Sequence, residues 1–225
     1  MRLTLRKSVI GVFVCALSLF VLPVDAHAGT LTLRVSDGTT TVVLTDTDGD
    51  GVIEEYFGQI GIFEVNLDAL AVKDGGSSEL SLSGAVTNTS TLTKNSTLTI
   101  TLEDSGFTAA VGGGPTTLES YVTGSLSKAA SLTTQSTVKG GTFSASTPST
   151  AYSGAFTGDT MTIFSGSGTY SLLSQTKISL KGGGSGSFDL TSSVHTPEPA
   201  SLALLGSGLV AVARLARRRR RAISG

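Results

Sequence analysis

The residues best suited to chemistry in this 225-residue sequence are the carboxylates of DTDGDGVIEE, Asp46 to Glu55. Asp46, Asp48 and Asp50 alternate ahead of Gly51. That is the opening of an EF-hand calcium loop, where hard carboxylate oxygens at alternate positions converge on one ion and a glycine makes the sharp turn. The pattern then breaks: Phe57 occupies the place of the closing bidentate carboxylate, and neither flank has a helical period. Two readings stay open. One is a looser calcium site of Asp46, Asp48 and Asp50, joined by Glu54 or Glu55; the other is an acidic, glycine-rich β-turn with free carboxylates. No cofactor other than calcium is suggested.

Other catalytic chemistry has little to draw on. Once an N-terminal segment is set aside (below), His195 is the one histidine left and no cysteine remains. A Ser-His-Asp triad then lacks a buried base, a cysteine nucleophile is missing, and His/Cys metal sites are excluded. Two carboxylates can hydrolyse a glycoside, but the chain has no Trp and only Tyr56, Tyr121, Tyr152 and Tyr170 to stack on a sugar. The expectation is a protein that is not an enzyme. Gly112 to Gly114 and Gly182 to Gly186 are not phosphate loops, because no Lys-Ser/Thr follows to open a helix. Asn88-Thr89-Ser90 and Asn95-Ser96-Thr97 match the N-glycosylation pattern, which Thr-rich sequence produces by chance.

The elements that would position these residues are strands. Apolar residues recur at every second position in Leu31, Leu33, Val35, in Leu80, Leu82, and in Leu98, Ile100, Leu102, with Thr and Ser expected on the wet face. Further strands are expected over 41–45, 60–67, 118–126, 142–145, 151–156, 161–164, 169–173, 176–180 and 187–190. Turn clusters separate them, among them Ser36-Asp37-Gly38, Lys139-Gly140-Gly141 and Lys181-Gly182-Gly183-Gly184. Many short strands, abundant Thr and Val and no long helical period predict an all-β fold, an antiparallel β-sandwich or jelly-roll-like domain. A parallel β-helix would need a repeat period, and none is found.

Both ends read as addresses. Arg2, Arg6 and Lys7 precede the apolar segment Ser8 to Leu22, and Ala26-His27-Ala28 supplies the small-x-small pattern for signal peptidase, so cleavage is expected after Ala28. Cys15 leaves with that segment. Between Gly29 and Thr196, seven Lys and Arg stand against fifteen Asp and Glu, a formal net charge of −8. Such a body repels nucleic acid and suits cations or neutral polymers better.

At the other end, Pro197-Glu198-Pro199 precedes the uncharged run Ala200 to Ala213 and the block Arg217, Arg218, Arg219, Arg220 and Arg221. The run is short for a membrane span and suffices if Arg214 snorkels. The arginine block would stay cytoplasmic and leave the body exported. This three-part order resembles the PEP-CTERM sorting signal of exopolysaccharide-producing Gram-negative bacteria. The stretches LRVSDGTTTVVLTD, GVI and LTITLEDSGF are similar to those of other bodies in that family. The resemblance implies that exosortase, a membrane cysteine transpeptidase-like enzyme, recognises Pro197, Glu198 and Pro199, with Ala200 to Ala213 as the span and Arg217 to Arg221 as the cytoplasmic stop. It further implies transient residence in the inner membrane, then the cell surface, outer envelope or extracellular matrix, with exopolysaccharide as a partner. The expected organisation is a signal peptide over 1–28, a β-rich extracytoplasmic domain over 29–181, a Gly/Ser-rich linker over 182–196 and the sorting signal over 197–221.

Overall fold

The computed structural model describes residues 29–74, 77–109, 115–127 and 129–195. These form thirteen strands: β1 (Thr32–Ser36), β2 (Thr41–Thr45), β3 (Val52–Ile60), β4 (Phe63–Asp74), β5 (Ser77–Asn88), β6 (Ser96–Ala109), β7 (Pro115–Leu126), β8 (Ser131–Gly140), β9 (Ser144–Ser146), β10 (Thr150–Tyr152), β11 (Ala155–Ser165), β12 (Gly168–Leu180) and β13 (Ser185–His195). Sheet A runs β10-β8-β12-β6-β1-β2, with β9 also on β8; sheet B runs β11-β7-β13-β5-β4-β3. Every pairing is antiparallel. The all-β expectation therefore holds, as two antiparallel sheets consistent with a sandwich.

The two inner faces meet in one apolar core. Leu33, Ile100, Leu102, Leu172 and Ile178 come from sheet A, and Phe63, Leu67, Leu82, Leu118, Phe188 and Leu190 from sheet B, all at most 2% exposed. Each alternates with exposed or half-buried neighbours, so the two-residue period of the sequence is the period of burial. Burying such a side chain contributes about 1.5 to 3 kcal/mol, and this repeated burial offsets the entropy of ordering a chain rich in Ser, Thr and Gly.

Several expectations need correction. The linker over 182–196 is, from Ser185 to His195, strand β13, hydrogen-bonded between β5 and β7 in the middle of sheet B. Its glycines make a tight turn docked on the chain after β5. Gly182 donates to the Leu92 carbonyl and Gly183, at φ 72°, to that of Asn88. A Cβ on Gly182 would lie 2.5 Å from the Leu92 oxygen, so close backbone approach, not flexibility, explains glycine there. The expected strand 60–67 is broken by a turn at Gly61, which has φ 58° and joins β3 to β4. The expected strands 169–173 and 176–180 are one strand, β12, because Ser174 and Gln175 continue the ladder. β8, and β3 up to Ile60, lie outside the strands that the alternation predicts.

Asn88 is fully buried. Its Nδ2 donates to Leu180 O at 3.1 Å and its Oδ1 accepts from Ser90 N at 3.0 Å, so this asparagine ties two loops together and offers no glycosylation site. An ion pair between half-buried Lys73 and buried Asp104 clamps the sheets at the opposite end: Lys73 Nζ on β4 lies 3.1 Å from Asp104 Oδ2 on β6. Beside it, β6 bulges at Gly106, φ 81°, where the register with β12 shifts.

Candidate functional site

The sequence motif of alternating aspartates lies on the loop between β2 and β3. Asp46 closes β2: its backbone N donates to Leu31 O at 2.9 Å, and its residue is only 8% exposed. Its two carboxylate oxygens are divided between two amides. Oδ1 accepts from Gly49 N and Oδ2 from Gly51 N, each at 2.8 Å. Such hydrogen bonds favour the charged form, so the Gly49 amide first and the Gly51 amide second hold the Asp46 carboxyl below the ordinary carboxylate range. Gly49 and Gly51 have φ 79° and 80°, a conformation that glycine adopts without strain. Gly51 also accepts from Ala71 N at 2.8 Å, which docks the loop on β4.

The other two aspartates are exposed. Asp50 Oδ1 accepts from Val52 N at 2.8 Å, an Asx turn leading into β3. Asp48 shares a side-chain hydrogen bond with Asp46, which pushes its carboxyl up; the charge of Asp50 adds to the effect. One oxygen from each of Asp46, Asp48 and Asp50 falls within 4.8 Å of the others. The loop can therefore do two things: organise its own turn through Asp46, and offer one oxygen from each of three carboxylates to a cation.

The fourth expected ligand is not part of this group. Glu54 sits on β3, where the register with β4 shifts between Ile53 and Tyr56, and lines a shallow depression with Asp46, Asp48 and Glu55. Glu55 Oε1 accepts from Asn66 Nδ2 at 2.7 Å. Phe57, at the place of the missing EF-hand ligand, is 68% exposed on β3. Ala26, Ala28, Pro197, Glu198, Pro199 and Arg217 to Arg221 lie outside the described residues, as does the expected span from Ala200 to Ala213. Among the described residues, no helix is long and apolar enough to cross a membrane.

Comparison with known proteins adds one strong match. Residues 195–221 match the family model of the PEP-CTERM protein-sorting motif. No curated protein matches the chain. A solved structure, TmCBM61 in complex with beta-1,4-galactotriose, is similar over 62% of this chain and 92% of that chain, at 12% identity and a TM-score of 0.31, a likeness too slight to carry an argument. The sorting motif implies an exported protein that passes by way of the membrane and is processed by exosortase, and this chain carries it from His195, the last residue of β13, to Arg221.

Proposed function

We propose that the chain is an exported structural or adhesive protein of the cell surface or exopolysaccharide matrix, delivered there when exosortase processes the tail at Pro197-Glu198-Pro199. The observation that carries this reading is the match over 195–221. The motif follows the body with no intervening linker: β13 ends at His195, two residues before Pro197. The sorting enzyme supplies the chemistry and the body is its passenger. No catalytic role is assigned to the carboxylates of the body, because the three that cluster most tightly are engaged with their own loop or with one another. The first test is intact mass of the protein recovered from the envelope and medium of its own cells. Wild type should end near Pro199, while Glu198→Ala should keep its arginine block in the membrane. A wild-type mass that runs through Arg221 would make the tail a permanent anchor and overturn the sorting reading.

One observation favours a second role for the same body. The convergence of Asp46, Asp48 and Asp50 within 4.8 Å supports a calcium-stabilised binding module.

A further inference from the structure

Gly29 is the residue on which signal processing and the Lys73–Asp104 ion pair meet. It lies against β6 so closely that a Cβ built on it would stand 2.5 Å from Asp104 Oδ1 and closer still to Ser105 O. An amino-acid nitrogen is about 2.5 Å from its own Cβ, so the Gly29 nitrogen lies within about 5 Å of that carboxylate oxygen. Asp104 is 1% exposed. Its Oδ2 pairs with Lys73 and its Oδ1 accepts from its neighbour Ser105 N at 2.7 Å. The Lys73 ammonium is itself committed, donating to Ser105 O at 2.9 Å and lying 4.8 Å from the centre of the Phe107 ring. Gly29, Asp50, Lys73 and Asp104 line one depression. Lys73 is thus the one side-chain cation set against the buried Asp104 carboxylate among these residues.

We infer that this depression is a binding site for the chain's own new N-terminus: the α-ammonium of Gly29 docks against Asp104 once the signal peptide is gone. The inference rests on cleavage between Ala28 and Gly29. Hydrolysis of that bond consumes one water, sends the new carboxylate away on Ala28 and leaves an amine on Gly29 that takes up a proton at neutral pH. The site then gives Asp104 two cations, Lys73 at Oδ2 and Gly29 beside Oδ1. Burial makes the second partner matter, since a buried carboxylate with insufficient partners is costly. Glycine is also the residue that fits, because any side chain would collide with Ser105. Removal of the signal peptide therefore tightens the junction between β4 and β6, and the exported form is more stable than its precursor.

The test uses protein purified from its own cells, with its N-terminus read by mass. A first residue other than Gly29 would overturn the cleavage reading and the docking with it. For a chain that begins at Gly29, brief cyanate treatment near pH 6.5 carbamylates the α-amine and removes its charge. The treated protein should melt about 4 °C below the untreated one. The α-amine of the untreated protein, followed by NMR of labelled Gly29, should titrate above the ordinary range of about 7.7 to 8.0. In Asp104→Asn both differences should vanish; if that variant does not fold, the wild-type titration decides alone. Equal melting with and without the modification, or an α-amine that titrates in its ordinary range, would overturn the docking while leaving the cleavage reading intact.

Discussion

Asp46 shows how one carboxylate can serve a fold and a ligand at once. Its two oxygens already accept from Gly49 and Gly51, so the loop is shaped before any cation arrives. Pre-shaping lowers the ordering cost of binding. Asp48 bears the cost, because its side-chain hydrogen bond to Asp46 and the charge of Asp50 push its carboxyl up. A divalent ion would relieve that repulsion. Calcium at about a hundredfold over its dissociation constant adds about 2.7 kcal/mol, which for a body of this size raises Tm by about 8 °C. The rise should shrink as pH falls and the carboxyls protonate, and Asp48→Ala with Asp50→Ala should abolish it. A Tm indifferent to calcium leaves the loop as a turn organised by Asp46, with its other carboxylates free. The motif's first half was legible as alternating aspartates. What the sequence did not display is that Asp46 spends both oxygens on glycine amides, or that Glu54 falls on a strand where the register shifts and stays outside the group.

At the scale of elements, the two-residue period located most strands and misjudged what a strand of Ser and Thr buries. β8 reads SLTTQSTVKG, in which Ser and Thr are expected on the wet face. In the fold Thr134 and Ser136 point inward with Leu132 and Val138, opposite Thr176 and Ser174 of β12. Ser136 Oγ meets Ser192 Oγ of β13 across the sandwich at 2.6 Å. One end of the core is therefore lined with hydroxyls, and its strands carry no hydrophobic alternation strong enough to announce them. The same blindness made Gly182 to Thr196 look like a tether around one short strand, 187–190, since Ser187, Asp189 and Thr191 flank the few apolar residues of what is a central strand. Among these hydroxyls, those of Ser120, Ser174 and Thr176 are buried without a hydrogen-bond partner. A buried unpaired hydroxyl costs about 1 to 3 kcal/mol. Thr176→Val keeps the shape and removes the polar atom, so it should stabilise the protein by about 1 kcal/mol in denaturant unfolding. Ser136→Ala should instead destabilise, because it strands Ser192. Destabilisation by Thr176→Val would mean that its hydroxyl is satisfied after all.

On the scale of the whole molecule, the net charge of −8 carried between Gly29 and Thr196 is not spread evenly. Glu64, Asp68, Glu79, Glu119 and Asp189 alternate with buried neighbours on the strands of sheet B, and Asp159 pairs with the exposed Tyr121, so all six share its outer face. Lys73 is the lone lysine or arginine among that sheet's described residues, and it turns inward to Asp104. The outer face of sheet A carries the opposite balance, with Arg34, Lys139 and Lys177 against Glu103. The register places Asp68, Ser83 and Asp189 in one row across sheet B, and Glu79, Ser193 and Glu119 in another. Strands lie about 4.8 Å apart, so carboxylates in a row are about 10 Å apart. That exceeds the screening length of about 8 Å at physiological salt. Repulsion within a row is therefore weak, and the face attracts cations as an array. A polymer of glucosamine with free ammonium groups should bind through sheet B, more weakly as salt rises. Asp68→Asn with Asp189→Asn should lower affinity about threefold to tenfold, since each exposed pair is worth a few tenths to 1 kcal/mol. Arg34→Gln, on the far sheet, should leave affinity unchanged or slightly raise it. An anionic polymer binding equally well, or equal losses from substitutions on the two sheets, would show that segregated charge does not choose the partner and that neutral hydroxyl contacts do.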